Sequence, residues 1–324
     1  KTELNIVFTA LHGTSIVSVP PALAKAGFTN VQLVEAQSAP DGNFPTVASP
    51  NPEESAALAM AVAQAEATGA DLVIGCDPDT DRVGIAVNDG TGKMQLLNGN
   101  DTAALLVHYI LNAYKKNGTL PSNGFTAATV VTTDLIADIS AAYGVPCYRC
   151  LTGFKWIADI INHKPEEQFL VGGEESYGYL IGDAVRDKDA VASAVMIAEM
   201  AANAKAQGRT VLQQLEAIHR EFGQYQERLI SITKKGRSGA QEIADMMTAL
   251  RNDPPKTLAG SPVVIAIDHN NSTQTDLRTG ATSSTALPAS NVLQFITEAG
   301  DKVSARPSGT EPKIKFYFSV RATT

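Results

Sequence analysis

The stretch DLVIGCDPDTDRVGIAV, residues 71–87, decides how this chain is read. Two apolar runs, 72–75 and 83–87, flank Asp77, Asp79 and Asp81, and Arg82 follows at once. Short apolar runs bounded by turn residues read as buried strands. Three carboxylates at a strand end either face water separately or converge. Converged and bare, they repel one another and some keep their protons. A hard divalent cation removes that conflict, and an all-oxygen donor set favours Mg2+ or Ca2+. A calcium loop of the EF-hand type needs Gly at position six and Glu at position twelve. Here those positions are Arg82 and Asn88, which excludes it. Mg2+ completes its shell with water or phosphate oxygens, and a neighbouring guanidinium grips phosphate through paired hydrogen bonds. The loop therefore points to phosphoryl chemistry.

Outward from this loop, strands alternate with helices. Strands are expected over 5–10, 31–34, 71–75 and 83–87, and helices over 19–26 and 53–68. That rhythm predicts an α/β layer. It restarts after 97–101, with helices over 102–114, 135–143, 155–162 and 190–207. Strands are expected over 127–132, near Cys147 and over 168–172. From about Phe222 the pattern becomes α+β, with strands at 228–233, 263–268, 292–296 and 313–321 and a helix at 239–251. Three domains are expected, 1–98, 99–221 and 222–324: two successive α/β units with mostly parallel sheets, then a smaller α+β domain.

The bulk numbers agree with such a protein. Of 324 residues, 44% are apolar and 19% charged, enough to bury two or three cores. A net charge of −8 without a basic run argues against nucleic acid or a membrane surface as a partner. The longest apolar stretch, 190–202, contains Glu199 and is too short to span a bilayer. Three cysteines suggest a reducing compartment, hence the cytoplasm. Cys147 and Cys150 have C-x-x-C spacing, but a single pair reads as two ordinary thiols. The chain enters its first strand from Lys1-Thr2-Glu3-Leu4 without an initiator Met or signal peptide, so it is expected to belong to something longer.

Other polar loops follow strands. GGEESYG, residues 172–178, pairs glycines that let backbone approach a ligand with carboxylates suited to vicinal hydroxyls. ARPSGTEPK, residues 305–313, gathers a guanidinium, hydroxyls, a glycine amide and a lysine, a nest of donors for a phosphate dianion. Lys155 sits in TGFKW, residues 152–156, and Lys188 lies between Asp187 and Asp189.

In this order, the acidic loop, T-G-x-K, G-E-E-S, K-D and R-P-S-G-T-E-P resemble the α-D-phosphohexomutases, in particular the phosphoglucomutase/phosphomannomutase group. The resemblance covers nearly the whole chain and implies two successive three-layer α/β/α domains with mixed sheets and a TATA-binding-protein-like form for the last domain. It further implies that Asp77, Asp79 and Asp81 bind Mg2+ and that Arg82 orients a phosphoserine or the substrate. Glu174 and Ser176 would hold sugar hydroxyls. Arg306, Ser308, Gly309 and Thr310 would clamp the distal phosphate. Lys155 and Lys188 would lie near the transferring phosphate, with Lys188 the proton-transfer group. Pro78 and Thr80 stand where that family's loop usually carries glycine. The implied reaction interconverts sugar 1-phosphate and sugar 6-phosphate, of glucose or mannose, through a phosphoserine and a bisphosphate. The family's T-x-S-H-N-P motif is not found. The nearest stretch, 47–52, has Ser49 but Pro50 in place of His, and belongs with the P-N-P-E segment. The phosphoserine is thus expected upstream, on an amino-terminal domain of the same protein. The alternative is a non-catalytic module binding sugar phosphate and metal. A Mg2+-dependent phosphatase fits poorly, because Arg82 and the sugar and phosphate loops have no place in it.

Overall fold

A computed structural model describes residues 1–234, 236–309 and 312–322, the side chain of Arg237 excepted. The chain divides into two compact units, Lys1–Phe222 and Gly223–Thr324.

The first unit opens with β1 (Ile6–Thr9), α1 (Val19–Lys25), β2 (Val31–Leu33), α2 (Ser55–Thr68), β3 (Leu72–Cys76), β4 (Val83–Asn88) and β5 (Met94–Leu97). Their sheet has the order β2-β1-β3-β4-β5. β1 runs parallel to β2 and β3, whereas β3–β4 and β4–β5 are antiparallel, so the sheet is mixed. Every residue of β3 is buried, as expected of a central strand covered on both faces. On one face the alanines of α2, Ala61 and Ala65, pack on Val7, Val73 and Ala86.

The same unit continues with α3 (Gly99–Lys116), β6 (Gly124–Thr129), α4 (Leu135–Ala142), β7 (Cys147–Cys150), α5 (Phe154–His163), β8 (Gln168–Gly173), β9 (Tyr179–Ile181), α6 (Ala190–Ala206) and α7 (Val211–Phe222). The second sheet has the order β7-β6-β8-β9, its first three strands parallel and β9 antiparallel. The amphipathic α5 sets Ile157 and Ile161 on Phe125 and Phe169. α6 packs on α1, β3 and β4 of the first sheet and on β9 of the second, which joins both sheets in one unit.

The second unit comprises β10 (Gln224–Thr233), α8 (Gly236–Asn252), β11 (Thr257–Leu258), β12 (Ser261–Asp268), β13 (Thr273–Asp276), β14 (Thr282–Ser284), β15 (Leu293–Thr297), β16 (Lys302–Pro307) and β17 (Lys313–Ala322). Its antiparallel sheet has the order β10-β17-β16-β15-β12-β13-β14, with β11 on β12. Ile243 and Met247 of α8 pack on Val263, Leu293, Phe295 and Ile314. Two mixed α/β layers followed by a smaller α+β unit are the architecture expected above.

Some elements differ from that expectation. The strand expected over 127–132 is Gly124–Thr129; Val130 and Val131 lie in the turn beyond it, buried all the same. Their apolar character records burial and not strand. α7 carries Val211, Leu215 and Ile218 inward at helical spacing and had no counterpart in the reading above. Nor did β5 or β9, each too short to show a period. Among the described residues no helix is long and apolar enough to cross a membrane. Cys76, Cys147 and Cys150 are free thiols, and burial, reinforced by Glu174, pushes Cys150 up to about 12.

Candidate active site

Both catalytic-looking loops of the first unit leave the carboxyl ends of parallel strands, where open α/β sheets hold ligands. Residues 77–82 connect β3 to β4, closing on the register pair Cys76 and Val83. The loop curls because Asp77 accepts backbone N–H bonds at Oδ1 from Asp81 (3.0 Å) and Arg82 (2.8 Å). The Thr80 N–H donates to the Asp77 carbonyl at 3.1 Å, with Thr80 left-handed at φ 65°. The three aspartates consequently converge, with one oxygen of each within 4.8 Å of the others. Asp77 is buried, Asp81 half-buried and Asp79 exposed. Burial, joined by the Asp81 and Asp79 charges, pushes Asp77 up to about 7 against the pull of the Arg82 N–H bond. A carboxyl so placed is relieved by a cation. The all-oxygen donor set and its spacing fit a hard divalent ion.

Two cations flank the cluster. Arg82 Nη1 lies 2.7 Å from Glu53 Oε1, and Nε lies 4.0 Å from Asp77 and 3.8 Å from Asp81. Lys188 Nζ lies 2.8 Å from Asp81 Oδ2 and 3.1 Å from Asp187 Oδ1. Burial pulls Lys188 down, but its bonds to Asp81 and Asp187 outweigh this and hold it above the usual range, so it carries a proton. It reaches Asp81 by passing over Gly178, where a Cβ would stand 2.3 Å from Lys188 Cδ. Phe154 at the start of α5 sits 5.7 Å below the ammonium.

Residues 174–178 join β8 to β9 and meet the acidic loop: the Val83 N–H donates to the Tyr177 carbonyl at 3.0 Å. Glu174 is buried and accepts the Gly153 N–H at 2.8 Å, which fixes the start of α5. Glu175 accepts from Thr132 Oγ1 at 3.1 Å. Ser176 is half-buried. The paired glycines answer to packing: a Cβ on Gly172 would lie 2.4 Å from the Ala127 carbonyl, and one on Gly173 2.6 Å from the Tyr179 ring. Lys155 is exposed, its ammonium 5.2 Å from the Trp156 ring, with no contact to the acidic loop among the described residues.

The candidate phosphate loop belongs to the second unit. Arg306 and Pro307 end β16, paired with Lys315 and Ile314 of β17. The Ser308 N–H donates to the Lys313 carbonyl at 2.7 Å, and Gly309 is exposed. Thr310 lies outside the described residues. Pro307, Ser308 and Gly309 line a cavity of about 580 Å³ against Gly236, Ala240 and Ile243 of α8. Sequence reasoning gave no role to Glu53, Gly153 or Gly178. The P-N-P-E segment was visible, but nothing along the chain ties residue 53 to residue 82.

The chain as a whole is similar to known proteins. Residues 1–91 match the model for phosphoglucomutase/phosphomannomutase, alpha/beta/alpha domain II, and residues 98–222 that for domain III. A phosphoglucomutase of Staphylococcus epidermidis is 39% identical over 321 residues, covering 99% of this chain and 58% of that protein. A protein of Haemophilus influenzae named "Probable phosphomannomutase" is also 39% identical over 321 residues, covering 98% of this chain and 60% of that one. The chain thus spans well under two thirds of these relatives. In fold it is similar to the exocytosis-sensitive phosphoprotein pp63/parafusin (phosphoglucomutase) of Paramecium in an open form, with a TM-score of 0.68 at 16% identity over 98% of this chain and 53% of that one. With two domain models of one family matched in order over more than half of its residues, the chain belongs to the phosphoglucomutase/phosphomannomutase family.

Proposed function

We propose that these residues form the metal, sugar and phosphate loops of a Mg2+-dependent phosphohexomutase. It interconverts sugar 1-phosphate and sugar 6-phosphate, of glucose or mannose, through a phosphoserine and a bisphosphate, in the cytoplasm. The observation that carries this reading is the convergence of Asp77, Asp79 and Asp81 beside a protonated Lys188 and against the 174–178 loop. Bound there by the three carboxylates, Mg2+ would supply charge neutralisation at the transferring phosphoryl group. Arg82, oriented by Glu53, presents its guanidinium to the same phosphate. Lys188 holds a proton 2.8 Å from Asp81 and gives it to the oxygen that loses phosphate, and the hydroxyl that gains phosphate returns a proton to it. Ser176 and Glu174 receive sugar hydroxyls, Glu174 from a carboxylate that also anchors Gly153. Lys155, exposed near the start of α5, adds a positive charge beside the transferring phosphate. In the second unit Arg306, Ser308, Gly309 and Thr310 take the distal phosphate.

Phosphoryl transfer of this kind rests on positioning and charge neutralisation, and the nucleophile is assigned to a phosphoserine outside these residues. Ser49 is not that serine in this reading: Pro50 stands where the motif has His, and its hydroxyl is directed at Glu54 Oε1 at 2.8 Å. The test is conversion of glucose 1-phosphate with Mg2+ and a glucose 1,6-bisphosphate primer. This chain alone is expected to be inactive. A chimera with this chain behind the amino-terminal part of the staphylococcal relative is expected to turn over. Turnover by the chain alone would show the nucleophile misassigned, and a folded but inert chimera would sink the mutase reading.

A further inference from the structure

The acidic loop is held from outside by a turn that the reaction does not use. Leu11 and His12 are both left-handed, at φ 46° and 61°, an uncommon pair for residues with side chains. His12 is buried and secured on three sides. Its N–H donates to the Gln37 carbonyl (2.9 Å), its Nδ1 meets the Ala39 carbonyl (3.2 Å), and its Nε2 meets Thr46 Oγ1 (2.8 Å). Gln37, itself buried, binds Thr46 and Thr9. This fixed turn delivers Gly13 and Thr14 to the acidic loop. Gly13 leaves no room for a side chain, since a Cβ would lie 2.3 Å from Pro78 Cα. The Thr14 N–H and Oγ1 both donate to the Pro78 carbonyl, at 2.8 and 2.9 Å. Thr14 Oγ1 also lies 2.9 Å from Thr80 Oγ1.

Thr80 is the residue at φ 65°, a conformation glycine adopts freely and a β-branched residue resists. It stands between Asp79 and Asp81, so its backbone angles set how those carboxylates converge. We infer that Thr14 and Thr80 form a matched pair, in which the Thr14 hydroxyl holds Thr80 left-handed and so positions Asp79 and Asp81 for the cation. Thr14 is a positioning residue. The inference rests on the metal reading above for its ligand, but the geometry it asserts is that of the metal-free protein.

Two measurements test it on the 324-residue chain, with a melting curve for every variant to confirm folding. The first is hydrogen exchange of the Asp81 and Arg82 amides, the donors to Asp77, without metal. The second is the Mg2+ affinity read from amide shifts of residues 79–82. Thr14→Val keeps shape and removes the hydroxyl; it is expected to speed exchange and weaken Mg2+ each about tenfold, the scale of one lost hydrogen bond. Thr14→Ser keeps the hydroxyl and should hold both within about twofold. Thr80→Gly needs no support, so Thr14→Val in that background should also change either value by less than about twofold. The inference is overturned if Thr14→Val leaves both values unchanged, or if its effect is undiminished beside Gly at position 80. If the unaltered chain shows no Mg2+ response, the metal reading fails, and the exchange measurement still decides for or against the pair.

Discussion

In the first sheet the order β2-β1-β3-β4 puts residues 77–82 between a parallel strand and its antiparallel neighbour. In the second, the order β7-β6-β8-β9 puts residues 174–178 at the equivalent place. Each loop begins with a buried acid that accepts backbone N–H bonds, and each contains one left-handed residue, Thr80 at φ 65° and Tyr177 at φ 68°. What differs is the direction of the acid's bonds. Asp77 accepts from Asp81 and Arg82 within its own loop, which curls and brings three carboxylates together. Glu174 accepts from Gly153, which ties its loop to the start of α5, and Gly178 in the same loop leaves room for Lys188. One scaffold thus yields a candidate cation cluster or a brace between loops, according to where one carboxylate finds its donors. Function resides in such loops more than in the sheets beneath them.

The comparison breaks most readily at the acidic loop. In the active chimera, Asp81→Asn should lower kcat/KM by about 10³-fold or more, the scale of losing a metal's charge neutralisation. Steady-state rates at saturating Mg2+ check this, and a tenfold effect or less would mean that the cluster does not hold the metal. Gly178→Ala acts from the other loop. The new methyl group meets Lys188 Cδ and displaces the ammonium from Asp81. We expect kcat to fall about 10²-fold, as for loss of a positioned acid, with little change in melting temperature. An unaffected kcat would remove Lys188 from the proton-transfer role.

A third outcome concerns pH. Asp77 titrates near 7 in the folded protein, where an unfolded aspartate titrates near 4. Between those values the native state binds more protons than the unfolded one. The stability Asp77 contributes is therefore complete below about pH 4 and is lost as pH rises through 7. Melting temperatures over pH 4–8 should show this decline without metal. Asp77→Asn should flatten it, and Mg2+, which needs the charged carboxylates, should oppose it; an equal decline in Asp77→Asn would place its origin elsewhere. The smallest effect is that of Glu53→Gln. The Arg82–Glu53 pair is partly exposed, so its loss should cost about 1 kcal/mol or less by denaturant unfolding. A larger loss would mean that Glu53 supports the loop itself.

The two loops were also unequally legible. Asp77, Asp79 and Asp81 announce themselves because three acids between apolar runs have few explanations other than a cation. Residues 172–178 were visible as a polar turn, but Gly172 and Gly173 read as ligand-facing when neighbouring backbone and the Tyr179 ring take their space. α7 was within reach, since Val211, Leu215 and Ile218 recur at helical spacing. The Thr14–Pro78 and Glu53–Arg82 contacts were not, because each joins residues far apart in sequence and close only through folding.

By itself the sequence determined the alternation of strands and helices, the change of character near Phe222, and the residue types in each loop. Those are local properties, written in period, turn chemistry and charge. Only the tertiary structure decided that Asp77 is buried and raised while Asp79 is exposed, that Lys188 crosses Gly178 to reach Asp81, and that Thr14 meets Thr80. Desolvation and charge coupling depend on which atoms lie within a few ångströms, and the packing of β1, β3 and β8 with their helices sets those distances.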